Sequence, residues 1–247
     1  MNAGTSLKRT ILLRIVFSFI LFNLQLVGAQ TIVAPNNLAN TYGGSANVAP
    51  FDIGNFYISS MRYQQMYDAT QFGGVATGGE YITRIAFRAA SIDNAFSDNT
   101  LQSIQFDLST TANTGLSSTF ADNVGADDTM VFNGSWTFSS AGGAAGPSVF
   151  DIVLNLTTPF FYNPANGNLV LDVRNIGGGN SAYFDDSYMA GEGISRVWSR
   201  DVSASTAISS DVEGLVTQFT FSPVPEPSVL GLLAVGTTAL LIRRRRN

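Results

Sequence analysis

Three aspartates in one glycine-containing loop are the residues of this chain best suited to bind a metal ion. Asp122, Asp127 and Asp128 lie in the stretch DNVGADD, which also supplies Asn123. Carboxylate and amide oxygens are the ligands that Ca²⁺ takes in proteins. The spacing does not match an EF-hand loop, and Asp and Asn side chains in a loop can instead hydrogen-bond to their own backbone. The loop is therefore predicted to be either a calcium site or a solvated turn.

Three smaller acidic patches lie elsewhere, at Asp93-Asn94, Asp98-Asn99 and Asp185-Asp186. Turns are predicted at each of them, because Asp and Asn side chains bond readily to nearby backbone groups. Adjacent side chains of an extended strand point to opposite faces. Asp185 and Asp186 could therefore share a ligand only across a β-bulge.

The residue types that are missing exclude several kinds of catalysis. The chain contains no histidine and no cysteine, which excludes thiolate chemistry, cysteine-based zinc sites and a Ser-His-Asp triad. Glycoside hydrolysis needs only two carboxylates, but most acids here are loop aspartates, and the middle of the chain has only the glutamates Glu80, Glu192 and Glu213. We therefore predict a protein that is not an enzyme and holds no cofactor other than the calcium considered above. An envelope glycoside hydrolase is the less favoured alternative.

The charge is distributed unevenly along the chain. Between residues 31 and 223 there are six arginines, no lysine and 17 acidic residues, a net charge of −11, although the whole chain carries only −5. A strongly acidic middle repels the phosphate backbone of nucleic acids. Nucleic acid is therefore not expected as a partner.

Aromatic side chains offer a second kind of binding chemistry. Their faces can stack on the apolar faces of sugar rings, which would make a carbohydrate platform. The alternative is that they fill the core, where Phe is usually buried. The candidates are Trp136, Phe160, Phe161, Tyr162, Tyr183, Phe184 and Trp198.

Short segments with period-two alternation run through the middle of the chain, and clusters of Gly, Asn and Pro separate them. In residues 102–108 and 150–156 an apolar side chain stands at every second position, as in half-buried antiparallel strands. Regularly spaced short strands predict an all-β ectodomain, an antiparallel β-sandwich or jelly-roll-like fold, with a barrel as the alternative. Strands are predicted at 61–67, 81–88, 102–108, 130–138, 150–156, 168–176, 195–200 and 214–221.

Two stretches carry finer predictions. In residues 81–88 the alternation places Tyr81, Thr83, Ile85 and Phe87 on one face of the strand. Ala34–Asn55 is rich in Asn and Gly, so this segment is predicted to begin as an irregular arm.

The first 29 residues have the pattern of a secretory signal peptide. Basic residues precede the mostly apolar Ile11–Val27, and the small residues Gly28 and Ala29 follow it. Cleavage is predicted between Ala29 and Gln30. An uncleaved N-terminal membrane helix is the alternative.

The last 25 residues have three successive parts. Pro223, Pro225 and Pro227 prevent a helix, and the uncharged Val229–Ile242 follows. This 14-residue run spans about 21 Å as a helix, short of a bilayer core of about 30 Å. The positive-inside rule keeps the arginines that follow in the cytoplasm, as a stop-transfer signal. These are Arg243, Arg244, Arg245 and Arg246.

The order of these parts resembles the PEP-CTERM sorting domain of bacterial exported proteins, a tail that is also described as the C-terminal domain of ice-binding proteins. The resemblance rests on the sorting motif Val224, Pro225, Glu226 and Pro227, on the short transmembrane helix after it, and on the arginine cluster. It implies recognition by exosortase, a membrane-embedded protease or transpeptidase, near Pro225-Glu226-Pro227. It also implies a transient anchor in the inner membrane, followed by delivery to the cell surface or extracellular matrix.

The middle of the chain resembles the uncharacterised ectodomains of such proteins in the stretches RYQQMYDATQF, STTANTGLSSTFADNVGAD and PFFYNPANGNLVLDV. This resemblance implies no activity. The predicted organisation is a signal peptide at 1–29, a β-sandwich at 30–222 and a sorting segment at 223–247. The predicted function is that of a non-enzymatic exported surface or matrix protein, with an exopolysaccharide-binding module as the alternative. Its threonines are scattered rather than arrayed, so ice binding is not expected.

Overall fold

The computed structural model describes residues 28–54, 58–91, 95–143, 146–179 and 182–224. The predicted signal peptide, apart from Gly28 and Ala29, and the tail from Pro225 onward lie outside these residues. So does the patch at Asp93-Asn94. Within the described ranges no helix is long and apolar enough to cross a membrane.

Antiparallel strands make up most of the described chain, and every strand pairing between them is antiparallel. The short helix α1 spans Phe120–Asn123, and 3₁₀ turns occur at Asn36–Leu38, Ala69–Phe72 and Pro164–Asn166. The all-β prediction is confirmed. The strands are β1 Gln30–Ala34, β2 Gly44–Asn47, β3 Met61–Tyr67, β4 Glu80–Phe87, β5 Phe96–Thr111, β6 Thr129–Ser140, β7 Ile152–Tyr162, β8 Asn168–Gly178, β9 Phe184–Ser187, β10 Ile194–Ser199, β11 Ser209–Asp211 and β12 Thr217–Ser222.

Two sheets share one hydrophobic core. The four-stranded sheet has the order β1-β12-β4-β7, and the six-stranded sheet has the order β11-β10-β3-β8-β5-β6. The strands β2 and β9 form a separate two-stranded ribbon. Apolar side chains at every second position explain the layering: Ile104, Phe106 and Leu108 of β5 are fully buried. The ring of Phe51 lies in the same core, 5.0 Å from the ring of Phe87.

The predicted face of β4 is wrong, and a β-bulge is the reason. Ile82, Ile85 and Phe87 are fully buried, whereas Tyr81 and Thr83 are only partly buried. The pairing register with β7 shifts between Ile82 and Arg84. An extra residue at that point moves the following side chains to the other face, so the simple alternation counted from Tyr81 fails.

The predicted turn at Asp98-Asn99 is wrong, because both residues lie in β5. Two further predictions of irregular backbone are wrong in whole or in part. The segment Ala34–Asn55 does begin irregularly, with a 3₁₀ turn and bends, but it is not a separate arm, because it then forms β2 and contributes Phe51 to the core. Asp185 and Asp186 form part of β9 rather than a turn, and each is only 1% exposed. Tertiary contacts of residues far away in sequence stabilise both segments, and local composition cannot reveal such contacts.

A fully buried arginine lies where these two segments meet. Arg88 is 1% exposed, and its Nη2 lies 2.6 Å from Oδ2 of Asp185. The same guanidinium donates to the carbonyl oxygens of Leu38 and Thr41. Oδ1 of Asp185 accepts from the backbone N–H of Gly43 at 3.0 Å. One ion pair therefore joins the segment before β2, the end of β4 and β9.

Arg88→Met should destabilise the domain by about 3–5 kcal/mol, because it leaves a buried carboxylate and two buried carbonyl groups without their donor. Arg84→Met is the matched control, since Arg84 donates to the hydroxyl of Thr220 on the sheet surface and is partly exposed. Urea unfolding of residues 30–224 measures both variants. Equal losses in the two variants would contradict the assigned role of Arg88.

Candidate functional site

The chain enters and leaves the domain at the same end of the four-stranded sheet. Gln30, the first residue of β1, pairs with Phe221 near the end of β12. Paired strands lie about 5 Å apart. The predicted signal cleavage point between Ala29 and Gln30 therefore lies beside the point where β12 passes into the predicted sorting segment.

The core fixes this exit point. In the sequence TQFTFS of β12, Phe219 and Phe221 are fully buried, and the alternate residues Thr220 and Ser222 face outward. A side-chain hydrogen bond fixes the start of the strand: Thr217 Oγ1 lies 2.8 Å from the hydroxyl oxygen of Tyr67. Because β12 lies between β1 and β4, it is hydrogen-bonded along both edges.

The sorting segment begins directly beyond this strand. Pro223 and Val224 are the last described residues, and the side chain of Val224 is 43% exposed. Pro225, Glu226, Pro227 and the arginines at 243–246 lie outside the described residues. The structure thus places the first residue of the predicted motif two residues beyond a fixed strand end.

Two of the three aspartates of the predicted calcium loop accept hydrogen bonds from different neighbours. Asp122 lies in α1 and accepts a hydrogen bond from the hydroxyl of Ser117 at 3.3 Å. Asp127 accepts from the backbone N–H of Thr110 at 2.7 Å. Burial raises the pKa of Asp128, and the neighbouring carboxylate of Asp172 raises it further. Across the described ranges no three or more acidic side chains are grouped to hold a metal ion. Calcium binding stays a prediction.

Sequence reasoning missed a charged network on the outer face of the six-stranded sheet. Asp172 accepts hydrogen bonds from Arg62 at 2.7 Å and from Gln64 at 2.8 Å. Arg174 bridges Asp172 to Asp107 on the neighbouring strand. Burial raises the pKa of Asp107. These pairs lie on adjacent strands, and the pairing register that brings them together is not visible in the sequence. Each of these acids has a basic partner, so the network stabilises the fold.

Most of the aromatic candidates fill the core, which was the alternative to a sugar platform. Trp136, Phe160, Tyr162 and Phe184 are at most 5% exposed. Trp198 is partly buried and packs against the core. The exposed members are Phe161 at 40%, in β7, and Tyr183 at 36%, directly before β9.

The two adjacent acids of β9 lie in different environments. Asp185 pairs with Arg88, whereas neither carboxylate oxygen of the buried Asp186 has a hydrogen-bond partner among the described residues. Arg196 is the nearest basic group, but it donates to Asp211 and to Glu213. Burial raises the pKa of Asp186 to about 7, with Arg196 opposing the shift and the acids Glu213, Asp185 and Asp211 adding to it.

Two surface cavities lie between described residues, and neither has a pair of facing acids. One is lined by Arg88, Ser148, Phe150 and Gln218, with no carboxylate among its lining residues. The other follows the loop from Ala112 to Ser117 and contains only Asp122 as an acid. Neither provides the two carboxylates of a glycosidase.

Asp186→Asn should stabilise the domain at neutral pH. The carboxyl keeps its proton in the folded state up to about pH 7 but loses it near pH 4 when unfolded, so the free energy of unfolding falls as the pH rises between these values. Removing the charge should therefore raise the free energy of unfolding at pH 8 by on the order of 3 kcal/mol. Urea unfolding from pH 4 to pH 8 measures this difference.

Asp201→Asn is the control for this prediction, because Asp201 is fully exposed and its hydrogen bonds to Ser203 lower its pKa. This variant should keep the wild-type pH dependence between pH 4 and pH 8. An Asp186→Asn profile parallel to that of the wild type would contradict the assigned titration.

Comparison with known proteins finds a similarity in the tail. A family model described as the PEP-CTERM protein-sorting motif matches residues 223–246. No match to a curated protein or to a solved structure was found. The matched residues begin immediately after β12, and they include the four residues predicted as the motif and all four arginines. The chain is thus a folded β domain followed by a PEP-CTERM protein-sorting motif.

Proposed function

We propose that this protein is a non-enzymatic, exported cell-surface or extracellular-matrix protein that its tail holds transiently in the inner membrane until exosortase cuts it. The observation that carries this proposal is the sorting motif at residues 223–246, which follows the last strand without an intervening domain. The motif implies export and processing by exosortase.

Each terminal segment has its own role in this proposal. The signal peptide at 1–29 exports the domain, and Ala29-Gln30 is its cleavage point. The apolar run at 229–242 then enters the membrane, with Arg243–Arg246 on the cytoplasmic side. A run of 14 residues is short for a bilayer core of about 30 Å. That shortness suits an anchor that is later removed.

The described surface supports a role other than catalysis. The two cavities lack paired carboxylates, and the buried acids Asp172 and Asp185 are held in ion pairs. Most of the candidate sugar-stacking rings are in the core. We therefore favour a structural surface or matrix protein over a carbohydrate-binding module or a hydrolase.

Replacing Pro225, Glu226 and Pro227 together with alanine should leave the protein uncut and in the membrane fraction, because the processing enzyme loses its recognition residues. Deletion of exosortase in the native host should give the same longer species. Immunoblots of membrane and released fractions measure both. Ser210→Ala, on the exposed edge strand β11 of the six-stranded sheet, is the control and should be processed normally. Unchanged size and location in the triple variant would refute the proposal.

Replacing Arg243–Arg246 with glutamine should weaken the retention of the C-terminus in the cytoplasm, since positive charge fixes that end. An epitope tag added after Asn247 should then become accessible to protease from outside the inner membrane. The tag on the wild-type chain should remain protected in the exosortase-deficient host. Equal protection of the tag from protease in both chains would contradict the stop-transfer role of the arginines.

A further inference from the structure

The position of the strand that leads to the tail places one end of the domain close to the membrane. Ser222 is the last residue of β12, and the apolar run starts at Val229, seven residues later. Seven residues reach at most about 25 Å when fully extended. While the tail is anchored, the end of the four-stranded sheet at Ser222 therefore stays within that distance of the bilayer.

An aromatic pair lies at this end, with Tyr81 partly buried and Phe161 exposed. Tyr81 of β4 pairs directly with Ser222 on one side and with Phe161 of β7 on the other. Residues directly opposite in antiparallel strands share a face, so all three lie on the outer face of the sheet. The rings of Tyr81 and Phe161 are in edge contact at 5.4 Å, and Phe161 is 40% exposed. This contrasts with Phe160 and Phe221, which face the core from the next row.

The same face carries a basic group and no exposed acid from its strands. Arg84 is the next outward-facing residue of β4 that pairs with β12. It pairs with Thr220, and its Nε donates to the Thr220 hydroxyl at 3.1 Å. It forms no ion pair within the described ranges of the chain. Glu80 is the only acidic residue in the four strands of this sheet, and it is 3% exposed and accepts a hydrogen bond from Gln30.

The opposite face of the domain differs in charge. The strands of the six-stranded sheet contain four acids, Asp98, Asp107, Asp172 and Asp211, and three arginines, a net charge of −1, whereas the strands of the four-stranded sheet have no net charge. A domain with a net charge of −11 between residues 31 and 223 is repelled by an anionic lipid surface. The outer face of the four-stranded sheet, which carries Arg84 and no exposed acid on its strands, is therefore repelled less by an anionic surface than the outer face of the six-stranded sheet.

We propose that Tyr81, Arg84, Phe161, Thr220 and Ser222 form a tail-proximal patch that contacts an anionic phospholipid surface. This inference rests on the membrane anchoring proposed above. Tyrosine rings favour the interface between lipid and water, and an arginine near the surface is attracted to anionic headgroups. The contact holds Ser222, the end of β12, at the membrane surface, where a membrane-embedded enzyme can reach the motif that follows.

The absence of cysteine from the chain allows a direct test with single labels. The full-length chain carrying Asn155→Cys, which is exposed and pairs with Arg84, receives an environment-sensitive fluorophore. It is inserted, one copy per disc, into nanodiscs of phosphatidylcholine and phosphatidylglycerol that contain nitroxide-headgroup lipid. Ser210→Cys, exposed on the edge strand of the other sheet, provides the reference label. Strong quenching at position 155 and weak quenching at position 210 are expected.

Substitutions distinguish lipid contact through the patch from simple attachment through the tail. Tyr81→Ala with Phe161→Ala should reduce the quenching at position 155 to the level at position 210, while the protein still floats with the lipid through its tail. Ile176→Ala with Ile208→Ala, two exposed apolar residues on the six-stranded sheet side, should leave the quenching unchanged. Arg84→Gln should abolish the dependence of quenching on phosphatidylglycerol, whereas Arg200→Gln should retain it.

The outcomes distinguish this inference from the function on which it rests. A full-length chain that does not float with lipid overturns the proposed anchoring itself. A chain that floats but shows equal quenching at positions 155 and 210 overturns the patch alone. Quenching that appears only with two or more copies per disc would show that a second copy of the chain covers the patch, and that result also overturns the lipid contact.

Discussion

The guanidinium of Arg88 joins parts of this domain that are far apart in sequence. It pairs with Asp185 and donates to the carbonyl groups of Leu38 and Thr41. A charge at 1% exposure is tolerated only when such partners surround it. The segment after β1, the end of β4 and the strand β9 must therefore form together. Since β1 and β4 flank β12, this ion pair also supports the position at which the chain leaves the fold.

Some strands could be predicted from the pattern of their residues, whereas the acidic strand β9 could not. The pattern of residues 61–67 predicts β3 with its observed bounds, and the alternation in residues 102–108 lies within β5. By contrast, β9 has the sequence FDDS, which composition assigns to a turn. It becomes a buried strand because Arg88, 97 residues earlier in the chain, neutralises Asp185. The predicted buried face of β4 was wrong for a different reason. The β-bulge arises from the pairing with β7, and the sequence of β4 alone does not show it.

The sorting motif was predictable because its recognition depends on the order of residues in the chain and needs no fold. Prolines around Glu226, an uncharged run and four arginines can be read directly from the sequence. The closeness of Gln30 to Phe221 could not be read in that way, because it depends on which strands pair and in which register. The same holds for Tyr81 and Phe161, which are separated by 80 residues and meet only across the β4–β7 ladder.

The central position of the last strand orders the events of export in time. A strand at the edge of a sheet can be added late without disturbing the rest, but β12 is hydrogen-bonded to β1 on one side and to β4 on the other. Until Ser222 has left the export channel, β1 has no neighbour in its sheet, and the core lacks Phe219 and Phe221. Folding can therefore finish only after the residues next to the sorting motif have emerged. In the proposed function, an uncut tail then marks a chain whose translocation has run at least to β12.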